Sequence, residues 1–288
     1  MYDLIFNPVA GHGRSQKQLD IVKRIFDEKG VEYTVHETTA PGHATELAKS
    51  LVDNGAKLIV AIGGDGTVAE VAKAIYGTDT ALGIIPAGTG NDYRRAVGVP
   101  DEIENSVEFL LDGKPTACDA LEVNGEIYLN IISIGFDVEV ARRASRYKIF
   151  GSAAYTLAAI DRSLFAKNQY ATIVIDGKEI KKNMLLAAIG NGSHYGGGMN
   201  SLPTADITDG LLDICLIDAT TPLNILKMLP KYVAGQHMDM DIVSIYSGKE
   251  ITIKLDDKQL PINADGEILP ETDTLHVKIL KGLINVIR

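Results

Sequence analysis

The sequence predicts two domains of different class: an N-terminal α/β domain with a parallel sheet, then a mainly antiparallel β-sandwich domain. Two observations carry this division. Over residues 1–115, short apolar runs alternate with helical periodicity at the spacing of βαβ units; over residues 116–282, strand-like runs succeed one another with few helices between. The length of 288 residues suffices for two ordinary domains, and a hydrophobic fraction of 45% supplies their cores.

In the first domain the runs Leu4–Phe6, Glu32–Val35, Leu58–Ile62 and Ala81–Ile85 read as strands. They are short and nearly continuous, as in a sheet covered on both faces. Helical patterns lie near Gln16–Glu28, Ala44–Val52 and Val68–Ala74, and one near Ile103–Leu111 closes the unit. The second domain offers strands at Ala117–Val123, Ile127–Ile134, Ala171–Ile175, Met184–Ile189, Leu211–Ile217, Ile242–Tyr246, Ile251–Leu255 and Leu275–Ile279. Helices are expected at Ser152–Leu164 and Leu223–Val233. Asn124-Gly125 and Asp176-Gly177 lie between strands and read as hairpin turns. The cleft between the two domains is the expected active site.

A net charge of -10 argues against nucleic acid, whose phosphates select basic surfaces. No window resembles a membrane span or a secretory signal. Cys118 and Cys215 stand alone in apolar runs, which points to reduced, buried thiols and the cytoplasm. Neither they nor His43 and His194 have partners at zinc-ligand spacing. One local exception to the acidic balance is Arg142, Arg143, Arg146 and Lys148. This run is a solvated helix face or a small patch for lipid headgroups.

Three glycine loops follow predicted strands of the first domain. Asn7-Pro8-Val9-Ala10-Gly11-His12-Gly13 lets backbone N–H groups approach an anion, with a helix N-terminus behind it. Gly63-Gly64-Asp65-Gly66-Thr67 holds a carboxylate among three glycines, which turn chemistry alone does not require. A carboxylate beside phosphates makes sense with Mg2+ between them; the alternative is Asp65 as a helix N-cap. The third loop is Pro86-Ala87-Gly88-Thr89-Gly90-Asn91-Asp92, whose Asn or Asp could also be a cap. Three such loops at one sheet edge predict a nucleotide site.

The second and third loops together resemble the diacylglycerol kinase catalytic domain family, which includes sphingosine and ceramide kinases. Further matches are the Asn7-Pro8 opening, Ile134-Gly135-Phe136-Asp137, Lys148…Gly151…Tyr155 and Gly190-Asn191-Gly192. Gly196-Gly197-Gly198-Met199, Asp209-Gly210-Leu211-Leu212-Asp213 and Asp265-Gly266-Glu267 complete the series. They run in family order over almost the whole chain, which looks most like the compact bacterial members.

The resemblance implies an ATP-dependent lipid kinase, with diacylglycerol the default acceptor and phosphatidic acid the product. It implies a first domain that binds ATP and a second that takes the lipid, with the last strand, residues 283–288, returning to the first. Asn7, Gly11, Gly64–Thr67, Gly88, Thr89, Gly90 and Asn91 would hold the nucleotide. Asp65, Asp92 and Asp119 would orient a catalytic Mg2+, partly through water. Glu267 would take the hydroxyl proton, supported by Asp265. Asp209 and the backbone at Leu211 resemble a second, structural Mg2+ site. Without the resemblance, Asp119 reads as a turn residue and Asp265-Gly266 as a hairpin.

The rival readings are an NAD kinase, which shares the Gly-Gly-Asp-Gly-Thr loop but differs at Gly88–Asp92, and a nucleotide-binding protein without turnover. A lipid substrate requires peripheral contact with a membrane surface. A homodimer is the default oligomer.

Overall fold

The computed structural model describes residues 1–256 and 260–288, without the side chains of His12, Ser145, Lys148, Ser152 and Leu260. The chain divides into two compact units, residues 1–119 with 281–288, and residues 120–280.

The first unit alternates strand and helix: β1 (Tyr2–Phe6), α1 (Arg14–Lys29), β2 (Tyr33–Glu37), α2 (His43–Asp53), β3 (Leu58–Gly63), α3 (Asp65–Ile75), β4 (Ala81–Pro86), α4 (Tyr93–Val97) and α5 (Ile103–Asp112). α1 ends where the sequence provides Gly30, which takes a left-handed conformation and donates its N–H to Asp27 O. The sheet is parallel: β1 lies between β2 and β3, and β3 pairs with β4. Residues 285–286 add a further parallel strand beside β4. Leu4, Phe6, Val60, Ile62 and Ile85 from the strands bury against Leu19, Val22 and Phe26 of α1 and Val107 and Leu110 of α5. The alternation of β and α read from the sequence is therefore the alternation of a doubly covered sheet.

The unit boundary falls within β5 (Pro115–Val123). Beyond it come β6 (Glu126–Tyr128), β7 (Ile131–Gly135), α6 (Phe136–Ala144), α7 (Ala154–Ser163), β8 (Gln169–Ile175) and β9 (Lys178–Gly190). The short pair β10 (His194–Tyr195) and β11 (Met199–Asn200) precedes β12 (Leu212–Asp218) and α8 (Pro222–Val233). The remainder is β13 (Val243–Gly248), β14 (Glu250–Leu255), β15 (Leu260–Ala264), β16 (Glu267–Thr272) and β17 (Thr274–Ile287).

Pairing in the second unit is antiparallel throughout the described residues. The long β9 lines β8 with its first half and β7 and β12 with its second. β15 joins β7 to β16, β12 carries β13, and β14 lies between β8 and β17. Ile132, Ile134, Ile173, Ile189, Ile214, Ile253 and Val277 meet in a core between the strand layers, the sandwich the sequence predicts. A second core lies under α6, α7 and α8, built from Phe136, Val140, Ala158, Ala159, Ile225 and Met228. Asn124-Gly125, Asp176-Gly177 and Asp265-Gly266 each place two successive residues at positive φ, the backbone of a two-residue hairpin.

Two sequence expectations change. The run Ile127–Ile134 is not one strand: β6 stops at Tyr128 and β7 starts at Ile131. The N–H groups of Leu129, Asn130 and Ile131 donate instead to the Asp265 carboxylate, so the ladder is interrupted for a side-chain acceptor. Leu275–Ile279 and Leu283–Ile287 are one strand, β17, which passes Gly282 at φ +64.

Candidate active site

The three glycine loops leave the C-terminal ends of β1, β3 and β4, and glycines are what let them touch. A Cβ on Gly11 would lie 2.2 Å from the Ala87 carbonyl oxygen, and one on Gly64 would lie 3.1 Å from the Gly88 Cα. Gly11 also needs its φ of +59, which glycine adopts at least cost. The third loop is closed by Asn91, whose side chain accepts from Gly88 N at 2.9 Å and donates to Gly88 O at 3.0 Å. Between the first and second loops, Asn7 Nδ2 donates to the buried Thr67 hydroxyl at 3.1 Å. Thr89 stands exposed at the tip of the third loop. All the nucleotide-binding candidates of the first unit thus belong to one connected backbone surface.

Asp65 does not cap its own helix. α3 is preceded by Gly64, and the Asp65 carboxylate instead accepts Tyr93 N at 3.1 Å, the first residue of α4. Burial raises its pKa, opposed by the backbone N–H groups of Tyr93 and Asp92 and by the charge of Arg95. The second loop is therefore tied to the third through one carboxylate. Asp92 pairs with Arg95 at 2.7 Å, and Arg95 also donates to the carbonyls of Gly90 and Asn91.

Arg95 and Arg14 are the residues that motif reading passes over. Arg14 donates to Gly88 O at 2.8 Å and to Gly11 O at 3.3 Å, spanning the first and third loops. A signal existed: a cation in the first turn of a helix opposes the helix dipole and calls for a partner elsewhere. For Arg95 the signal was its spacing of three from Asp92.

Asp119, fully buried, accepts Gly282 N at 2.7 Å. It holds the chain where β17 bends, so its side chain does more than the turn residue that local sequence suggests. Among the described residues no three acidic, histidine or cysteine side chains gather as ligands for a metal. Asp65 accepts from Tyr93 N with Arg95 nearby, Asp92 pairs with Arg95, and Asp119 accepts from Gly282 N. With these partners in place, a Mg2+ would be oriented by the three carboxylates partly through water.

In the second unit Asp265 is the anchor of a hairpin. At φ +47 it accepts Leu129 N at 2.8 Å, Ile131 N at 3.0 Å and Asn130 N at 3.1 Å. Glu267 opens β16 two residues later with an exposed side chain. Tyr128 lies near both: burial, then the charge of Glu267, pushes its hydroxyl up to about 12. Beneath this hairpin Asp137 is wholly buried and accepts from Ser133, from Tyr195 at 2.7 Å and from Asn263 at 3.3 Å. Burial raises its pKa, and the hydrogen bonds from Ser133, Tyr195 and Asn263 oppose the rise. Asp209 accepts Leu211 N at 2.8 Å in a loop that also carries Asp206 and runs into Asp213 of β12. Burial raises the Asp213 pKa, and the Asp209 and Asp206 charges add to the rise.

The Arg142–Lys148 cluster is spent partly within the fold. Arg142 reaches Glu139 and Glu271, and Arg143 binds Asp161. The Lys148 side chain lies outside the described residues.

Residues 2–123 match the family described as diacylglycerol kinase catalytic domain, and residues 130–288 that described as YegS C-terminal NAD kinase beta sandwich-like domain. The chain belongs to the diacylglycerol kinase family. As a member it is a kinase, and the glycine loops above are those of the family's catalytic domain. Among its relatives is the diacylglycerol kinase of Mycobacterium tuberculosis, 32% identical over 91% of this chain and 86% of that protein. The diacylglycerol kinase of Bacillus subtilis is 28% identical over 92% and 88%, and a probable lipid kinase YegS-like of Pseudomonas savastanoi pv. phaseolicola 34% over 91% and 87%. A crystal structure of a Bacillus anthracis protein assigned to the diacylglycerol kinases has a TM-score of 0.85 at 25% identity, covering 99% of this chain and 96% of that one. No helix among the described residues is long and apolar enough to cross a membrane.

Proposed function

We propose that this kinase transfers the γ-phosphoryl group of ATP to a lipid hydroxyl, with diacylglycerol as acceptor and phosphatidic acid as product. The observation that carries the reading is the connected set of glycine loops, in which Gly11 meets Ala87 and Gly64 meets Gly88. Backbone packed this closely, without side chains in the way, offers N–H donors to a polyphosphate.

In this reading Asn7, Gly11, Gly64–Thr67 and Gly88–Asn91 hold the nucleotide. Arg14 keeps the first and third loops in register. Asp65 and Arg95 fix the start of α4 and with it the third loop. The lipid oxygen bonds to the γ-phosphorus as the β–γ bridging bond breaks, ADP leaves, and the hydroxyl proton passes to Glu267. Asp265 positions Glu267 through the hairpin it anchors. Asp65, Asp92 and Asp119 would orient a Mg2+ carried on the nucleotide phosphates, partly through water, and the ion would neutralise phosphate charge during transfer. The acceptor is met at a membrane surface by peripheral contact.

The test offers the pure protein labelled ATP and Mg2+ with diacylglycerol in mixed micelles and, separately, NAD, beside an Asp65→Ala variant. Labelled phosphatidic acid that disappears in the variant supports the reading. Labelled NADP without lipid product overturns the acceptor, and product from neither overturns diacylglycerol as the substrate.

A further inference from the structure

We propose that the outer face of α7 and α8 is the surface by which this chain docks on a bilayer carrying anionic phospholipid. The proposal rests on the lipid-substrate reading above and names the surface that such a substrate requires.

Both helices are apolar on two sides. Their inner sides bury Ala158, Ala159, Ile225 and Met228 in one core. Outside, Ile160 and Leu164 extend the stripe of α7, and Leu223 and Leu226 that of α8. Leu164 is 71% exposed, Phe165 62% and Leu223 61%. A helix needs only one apolar face to pack in a globular unit; a second face has a use at an interface. The two helices pack against each other, and Asn168 in the loop after α7 exchanges hydrogen bonds with Thr220 just before α8. Ile149, 89% exposed, and Phe150 add apolar surface just before α7.

Charge selects the partner. The chain as a whole carries -10, yet α8 contains Lys227 and Lys231 and no acid. Lys167 follows α7, and the one acid of that helix, Asp161, is held by Arg143. Exposed apolar side chains among solvent-facing lysines suit the headgroup region of an anionic bilayer, where the lysines meet phosphate and the leucines reach the acyl boundary. A second copy of the chain fits poorly, since it would bring these lysines against each other.

The experiment is co-sedimentation of the full chain with vesicles of phosphatidylcholine alone and with phosphatidylglycerol added. It compares the wild type, a Leu164→Ser/Phe165→Ser variant and a Lys227→Glu/Lys231→Glu variant. Thermal melts confirm that each variant is folded. The wild type should partition onto the phosphatidylglycerol vesicles, and each variant should lose about tenfold or more of that partition. Turnover of a short-chain, water-soluble diacylglycerol should stay within about twofold, because transfer in solution needs no docking face. Unchanged partition in both variants, or equal binding of the wild type to neutral vesicles, overturns the proposal. So does a wild-type dimer that the Leu164/Phe165 variant dissociates while vesicles bind neither. Partition that depends on this face without phosphorylation of any diacylglycerol leaves the surface standing and removes the acceptor reading. Phosphorylation of soluble diacylglycerol by a wild type that binds no vesicle does the reverse.

Discussion

A Cβ placed on Gly88 would lie 2.4 Å from the Cα of Gly64, a separation no non-bonded pair of carbons tolerates. Two loops that are distant in sequence are thus in backbone contact, and each motif owes a glycine to the other. Gly88→Ala must push them apart, and kcat/KM for ATP should fall by about a hundredfold, the cost of a misplacement near 1 Å. Gly66 is the control, since a Cβ there meets nothing within 4 Å. Gly66→Ala should raise stability by about 0.5–1 kcal/mol as a helix substitution, while raising the KM for ATP. Thermal melts and steady-state kinetics on both variants check the pair.

Asp265 and Glu267 are separable, although they share one hairpin. Glu267→Gln should lower kcat by about a hundredfold or more and leave the melting temperature unchanged. Asp265→Asn weakens the acceptor for three backbone N–H groups and should destabilise the fold by about 1–3 kcal/mol, seen in urea unfolding. A Glu267→Gln variant with wild-type turnover would remove Glu267 as the base.

Asp137 makes stability depend on pH. Its folded pKa is raised by burial, so the protonated carboxyl is favoured in the fold. The contribution is then fully present below the unfolded value of about 3.9 and is lost as pH climbs through the raised one. Asp137→Asn does not titrate. The stability of wild type relative to this variant should therefore fall from about pH 4 upward, as urea midpoints at a series of pH values would show. A constant difference would contradict it.

Arg95 sits between carboxylates. Removing it in Arg95→Leu leaves Asp92 without its ion pair and takes one nearby cation from Asp65. Because the guanidinium is partly open to water, the expected loss is about 2–3 kcal/mol, below that of a fully buried pair. Differential scanning calorimetry measures it directly. Arg95→Lys should recover only part, since the shorter lysine places its ammonium short of the point where Arg95 Nη1 meets Asp92 and the carbonyls of Gly90 and Asn91.

Most of the architecture was readable because it follows periodicity and turn chemistry. β3, for instance, appears as Leu58–Ile62 in a run of apolar residues, and three Asx-Gly pairs mark three hairpins. What stayed hidden depends on long-range polar contacts. Nothing local in Leu129-Asn130 says that a carboxylate over a hundred positions away will take its N–H groups and end a strand. Asp65 looks like a cap of the helix it begins, and only the fold reveals that it serves α4. The cations at 142–148 read as a solvated helix face or a headgroup patch because Glu271, a partner of Arg142, and Asp161, the partner of Arg143, lie outside that run. α4 was missed because five residues are too few to show a helical period.

The strand β17 has a meaning for synthesis on the ribosome. Residues 285–286 pair with β4, Ile287 is buried in the first core, and Arg288 exchanges backbone hydrogen bonds with Lys114. The first unit is therefore made from two pieces of chain, and its last strand is translated only after the whole second unit. Until then β4 presents an open edge, so the nascent first unit must wait, unfinished, while the sandwich emerges. An expression fragment cut at residue 119 would carry that open edge permanently.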